Sequence, residues 1–89
     1  MSSPSSERLV SLPDGVDLHA RPAAQFVRTA MTFGASIAVA AGDREANAKS
    51  LLAVLALGAK GGSALRLRAD GEDAPVALET LAGCVATLE

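Results

Sequence analysis

The sequence predicts a two-layer α+β domain, a four-stranded antiparallel sheet with three helices on one face, in the order β-α-β-β-α-β-α. Three observations predict it. Strand-length segments such as ALRLRA, 64–69, alternate apolar and polar residues, as strands with one buried and one wetted face do. Between them lie segments whose apolar residues recur every three or four positions, the period of a helix with one buried stripe. The chain has 89 residues, enough for one domain. A chain of this size hides only about 60–65% of the surface its unfolded form exposes, so the core is modest.

Residues 1–6 read as a disordered polar tail and 7–89 as the folded domain. The first strand is RLVSL, Arg8 to Leu12, with Val10 and Leu12 on one face, and Pro13, Asp14 and Gly15 break it. A helix begins at His19 and runs to a stop at Gly34. Ala23, Phe26, Val27, Ala30 and Phe33 form its apolar face, and Pro22 falls in the first turn, where its missing N–H costs nothing. Ser36 to Ala41 is a strand with Ile37 and Val39 inward. Gly42-Asp43 turns the chain into a short partner strand, REANA. Ser50 is placed to N-cap a short helix, Leu51 to Leu57, that Gly58 ends. After a loop at Gly61-Gly62, ALRLRA points Leu65 and Leu67 inward and Arg66 and Arg68 outward. Asp70-Gly71 turns again. Asp73 and Pro75 open a last helix whose stripe is Leu78, Leu81, Val85 and Leu88.

Composition narrows the function. Apolar residues make up 49% of the chain, but the only aromatics are Phe26 and Phe33, so Ala, Val, Leu and Ile must build the core. No apolar run reaches membrane-spanning length, and the N-terminus lacks the pattern of a signal peptide. With a lone cysteine, Cys84, expected to pack in the last helix, these features predict a cytoplasmic protein without a disulfide. A net charge of -2 argues against a nucleic-acid binder. One histidine, one distant thiol and scattered carboxylates make no metal site. Gly58, Gly61 and Gly62 match neither a phosphate-binding nucleotide loop nor a dinucleotide fingerprint, so no cofactor is expected. The chain is too short for a self-contained enzyme with a deep cleft. A module that binds, carries or docks fits better.

A single histidine at a loop–helix junction is by default a cap or a solvated polar group. The position of His19 argues for more. It directly precedes a helix, whose first N–H groups have no intrahelical partner and whose dipole favours an anion. The N–H groups of Ala20, Arg21 and Ala23 are candidate donors to whatever His19 carries. Arg21 adds a forked cation suited to phosphate oxygens. A neutral imidazole nitrogen is a nucleophile, and phosphoryl transfer asks for positioning and charge stabilisation more than for elaborate covalent chemistry.

Two segments carry a family resemblance: LHARPAAQFV, Leu18 to Val27, and AKSLLAVLALG, Ala48 to Gly58. The first resembles the active-site signature of HPr, the histidine phosphocarrier family of the bacterial phosphoenolpyruvate-dependent sugar phosphotransferase system. The second resembles the segment around that family's regulatory serine. The resemblance implies an open-faced β-sandwich and a carrier that completes no net reaction alone. His19 would accept a phosphoryl group on Nδ1 from phosphorylated enzyme I and pass it to a IIA domain, with Arg21 at the phosphate. Ala20, Leu51, Leu52 and Leu55 would form an apolar docking centre, with Arg28 and Lys49 on its rim. Leu55 also suits the core. Ser50 corresponds to the serine that a dedicated kinase phosphorylates in many relatives, and it also suits a plain N-cap.

The chain departs from the family at Asp17, where Gly is usual, and at Met31 and Ala53, where relatives are often basic. A carrier of the nitrogen-related branch would share the site chemistry. A regulatory ligand-binding module of the ACT type would share the mix of elements, but would have no use for a histidine and arginine at a helix start and would dimerise. A monomer is expected.

Overall fold

The computed structural model describes residues 5–89, and these form seven elements in the expected order. They are β1 (Ser5–Ser11), α1 (Ala20–Ala30), β2 (Ser36–Ala41), β3 (Arg44–Asn47), α2 (Leu51–Ala56), β4 (Ala64–Asp70) and α3 (Ala74–Ala86). The strands form one sheet in the order β1-β4-β2-β3, antiparallel throughout. The fold is the expected open-faced sandwich.

Alternation decides which side of each strand is covered. In β4, Leu65, Leu67 and Ala69 are buried while Ala64, Arg66 and Arg68 are exposed. Register carries that pattern across the sheet: Leu67 stands opposite Val39 on one side and Arg8 on the other, and Ala69 stands opposite Ile37. Ala46 of β3 continues the covered face beside Val39. Against this face pack Ala23, Phe26, Val27 and Ala30 of α1, Val54 of α2, and Leu78, Leu81 and Val85 of α3, with Leu88 just beyond it. Phe26 is the largest fully buried side chain, and the rest of the core is aliphatic.

Several boundaries differ from the sequence reading. β1 starts earlier than Arg8: Ser5 and Ser6, expected in the polar tail, pair with Asp70 and Ala69. The rest of that tail, residues 1–4, lies outside the described residues. α1 stops at Ala30 rather than at Gly34. The Thr29 hydroxyl donates to the Gln25 carbonyl and the Thr32 hydroxyl to the Thr29 carbonyl, while the Thr32 and Phe33 amides bond back only three residues. Such local bonds compete with the helical ladder and tighten its last turn. Asp73 stands at the start of α3, but its side chain does not cap that helix. Its two carboxylate oxygens instead accept the Gly34 and Ala35 amides, each at 2.9 Å, and clamp the α1–β2 turn to the β4–α3 turn. Cys84 is half-buried and accepts a 3.6 Å contact from the Thr29 hydroxyl.

Two glycines are required by what surrounds them. Gly42, with φ of 62°, takes the first turn position of the β2–β3 hairpin, where a left-handed backbone matches strand twist. Gly61 lies so close to the loop before α1 that a Cβ there would stand 2.6 Å from the Gly15 nitrogen and 2.8 Å from that of Val16.

Candidate functional site

The loop that ends in His19 is held from three directions. Leu18 is almost fully buried, and its amide donates to the Ala59 carbonyl at 2.9 Å. The His19 amide donates to the Asp17 carbonyl, also at 2.9 Å. Gly61 packs against Gly15 and Val16 from the other side. The exposed His19 therefore stands on a fixed backbone, at the N-cap position of α1 with extended φ and ψ of -141° and 158°. Its ring makes no capping bond, so the plain capping role does not describe it.

Directly after it, Ala20 has φ of 42°, the only positive φ among the described non-glycine residues. A left-handed L-residue beside a candidate nucleophile is the kind of local strain that collects at functional sites. Among the described residues the Ala20 and Arg21 amides find no backbone acceptor, Pro22 has no N–H, and both Ala20 and Arg21 are exposed. Of the three candidate donors, Ala23 is the exception. It is fully buried, and its amide bonds back to the His19 carbonyl at 3.4 Å because the helical ladder begins there. Two amides without a backbone acceptor and the exposed Arg21 side chain thus remain at the start of α1.

Asp17 does not occupy a left-handed turn. Its carboxylate accepts the Gly61 amide at 2.8 Å and lies 3.8 Å from the Lys60 ammonium. In the sequence Asp17 stands out as a departure but not in this role, and Lys60 does not stand out at all. A loop contact between residues 17 and 60 leaves no periodic signal. Both residues line a cleft of about 200 Å³ together with Leu18, His19, Leu55, Gly58 and Ala59.

Leu55 brings α2 to the His19 end of α1; it sits half-buried against the core while also lining the cleft. On the outer side of α2, Leu52 is 82% exposed and Leu51 is 40% exposed, unusual for leucine in a domain with so few large side chains. Met31, at the far end of α1, is also exposed. Arg28 is exposed in the last turn of α1, about 13 Å along the axis from His19 at 1.5 Å per residue. Lys49 is less free than a rim cation would be: its ammonium donates to the Phe33 carbonyl at 2.6 Å, joining the end of α1 to the start of α2. Ser50 is half-buried, and its hydroxyl accepts the Ala53 amide at 3.3 Å as an N-cap does.

The family model described as the phosphorylation site of the HPr component of the PTS, the phosphotransferase system, matches residues 6–87. The phosphocarrier protein HPr of Streptomyces coelicolor is 48% identical over 82 residues, covering 91% of this chain and 88% of that protein. The corresponding protein of Haemophilus influenzae is 46% identical over 72 residues, covering 81% and 85%. Among solved structures, an HPr from Thermoanaerobacter tengcongensis superposes with a TM-score of 0.87 at 34% identity, covering 92% of each chain.

Proposed function

Because the chain belongs to the HPr family of phosphocarriers of the phosphotransferase system, we propose that it carries a phosphoryl group on His19 between phosphorylated enzyme I and IIA domains in sugar uptake. The observation that supports this reading best is the start of α1: an exposed imidazole on a fixed loop, followed by two free amides and an exposed arginine. The imidazole Nδ1 attacks phosphorus in line, and the P–N bond forms as the donor's bond to phosphorus breaks. The Ala20 and Arg21 amides, the positive end of α1 and the Arg21 guanidinium hold the equatorial oxygens. Reversal onto a IIA domain uses the same contacts, so the chain ends each cycle unchanged. It acts in the cytoplasm as a monomer, as a carrier rather than an enzyme.

Docking uses the exposed Leu51 and Leu52 with Ala20, flanked by Leu55, Arg28 and Lys49. A small apolar centre with a basic rim suits brief complexes with two acidic partners in turn. A kinase that phosphorylates Ser50 would place about -1.5 to -2 charges beside this patch and weaken both complexes.

Intact mass after mixing with enzyme I, magnesium and phosphoenolpyruvate tests the reading. One phosphoryl group is expected, removed by mild acid. It is expected to be absent from His19→Ala, a variant that stays folded because His19 contributes nothing to the core, and to arrive more slowly in Arg21→Ala. Normal labelling of His19→Ala would overturn the assignment.

A further inference from the structure

The His19 cleft contains a cation that the carrier chemistry above does not use. Lys60 follows Ala59, and His19 follows Leu18; Ala59 and Leu18 are joined by a 2.9 Å backbone bond. The two side chains therefore leave neighbouring points of the backbone, and both line the same cleft. The Lys60 side chain is 78% exposed, and its ammonium lies 3.8 Å from Asp17 Oδ2, at the outer limit of an ion pair. Asp17 itself is fixed, since its other oxygen accepts the Gly61 amide at 2.8 Å.

We propose that Lys60 is a second cation for the phosphoryl group on His19, and that Asp17 is the resting partner that holds its ammonium while the ring is bare. The inference rests on the carrier reading. When the ring is bare, the nearest anion for Lys60 is the Asp17 carboxylate. Phosphorylation places a dianion in the same cleft, a stronger partner for a mobile ammonium than a single carboxylate held at 3.8 Å. Lys60 then exchanges one partner for the other. Asp17 opposes the phosphorylated state in two ways: its carboxylate competes for Lys60, and its own charge repels the arriving phosphoryl group.

The partition of phosphoryl groups between two carriers reads this directly. Uniformly ¹⁵N-labelled wild type is mixed with an equal amount of unlabelled variant, catalytic enzyme I and limiting phosphoenolpyruvate. Intact mass then gives the phosphorylated fraction of each. Lys60→Gln is expected to hold about three-fold less phosphoryl group than wild type at low ionic strength, the scale of one partly exposed ion pair. The difference should vanish near about 1 M salt, where screening acts over about 3 Å. Lys60→Arg keeps the charge and should restore the wild-type share. Asp17→Asn still accepts the Gly61 amide but no longer repels or competes, so it should shift the partition the other way, above wild type. A merely structural loop contact predicts a loss for both variants. Equal shares for Lys60→Gln, or a loss for Asp17→Asn, would overturn the proposal while leaving the carrier reading intact. Failure of wild type to accept any phosphoryl group would overturn both.

Discussion

Ala20 holds a backbone conformation that its side chain opposes. For an L-residue the left-handed region costs about 1–2 kcal/mol, and Ala20 sits there at φ of 42° in the first position of a helix. Ala20→Gly would remove that cost but add chain freedom to the unfolded state, worth about 0.5–1 kcal/mol. The expected result is a variant about 0.5 kcal/mol more stable in urea unfolding, with Ala20→Val less stable than wild type by about 1 kcal/mol or more. A loss of stability in Ala20→Gly would show that the left-handed turn is not strained. Nothing in the sequence announces this turn, because alanine is the residue most at home in an ordinary helix. His19 was legible for a different reason: a break, an apolar period and a proline together mark where a helix begins. Asp17 was legible only as an oddity. Its partners, Gly61 and Lys60, are more than forty residues away.

At the scale of elements, the apolar period showed which faces are buried, while side-chain hydrogen bonds decided where the elements stop. α1 ends early through Thr29 and Thr32, and Asp73 clamps the following turn instead of capping its own helix. Each of these is a polar group choosing one of several available partners, a choice that spacing does not encode. α2 is the element on which the proposed docking surface and the Ser50 cap meet. Ser50→Asp keeps a side-chain oxygen at the N-cap and adds a negative charge at the favourable end of the helix, so unfolding in denaturant should change little. The same charge would sit on the helix that carries the proposed docking patch. Titration calorimetry against enzyme I should show binding about three- to ten-fold weaker, the scale of one added repulsive charge at an interface rim. Unchanged affinity with unchanged stability would leave Ser50 as a cap alone.

Across the whole molecule, stability rests on few large side chains. A domain of this length has about 5–13 kcal/mol to lose. Leu67 is 1% exposed on β4, the strand flanked by both β1 and β2, and it faces Val39. Leu67→Ala should cost about 3 kcal/mol, the usual scale when a buried leucine is truncated and the packing around the cavity relaxes only in part. The melting temperature should fall by about 12–24 °C at the usual scale for small domains. A drop of only a few degrees would mean that the helices close over the gap. The layering was legible because alternation tells covered face from open face. The strand order was not: hydrophobic alternation is the same whichever neighbour a strand takes, so nothing in ALRLRA says that it lies between the first strand and the second.

That order also bears on the timing of biosynthesis. β1 is translated first, yet its only neighbour in the sheet is β4, and β2 likewise has β4 on its second side. Of the seven elements, only α3 follows β4. While β4 remains inside the ribosome's exit tunnel, the emerged segment holds an unpaired β1, the β2–β3 hairpin and two helices with no completed sheet to cover. The domain therefore folds only after β4 has emerged, and a ribosome stalled with β4 still inside the tunnel should display it unfolded.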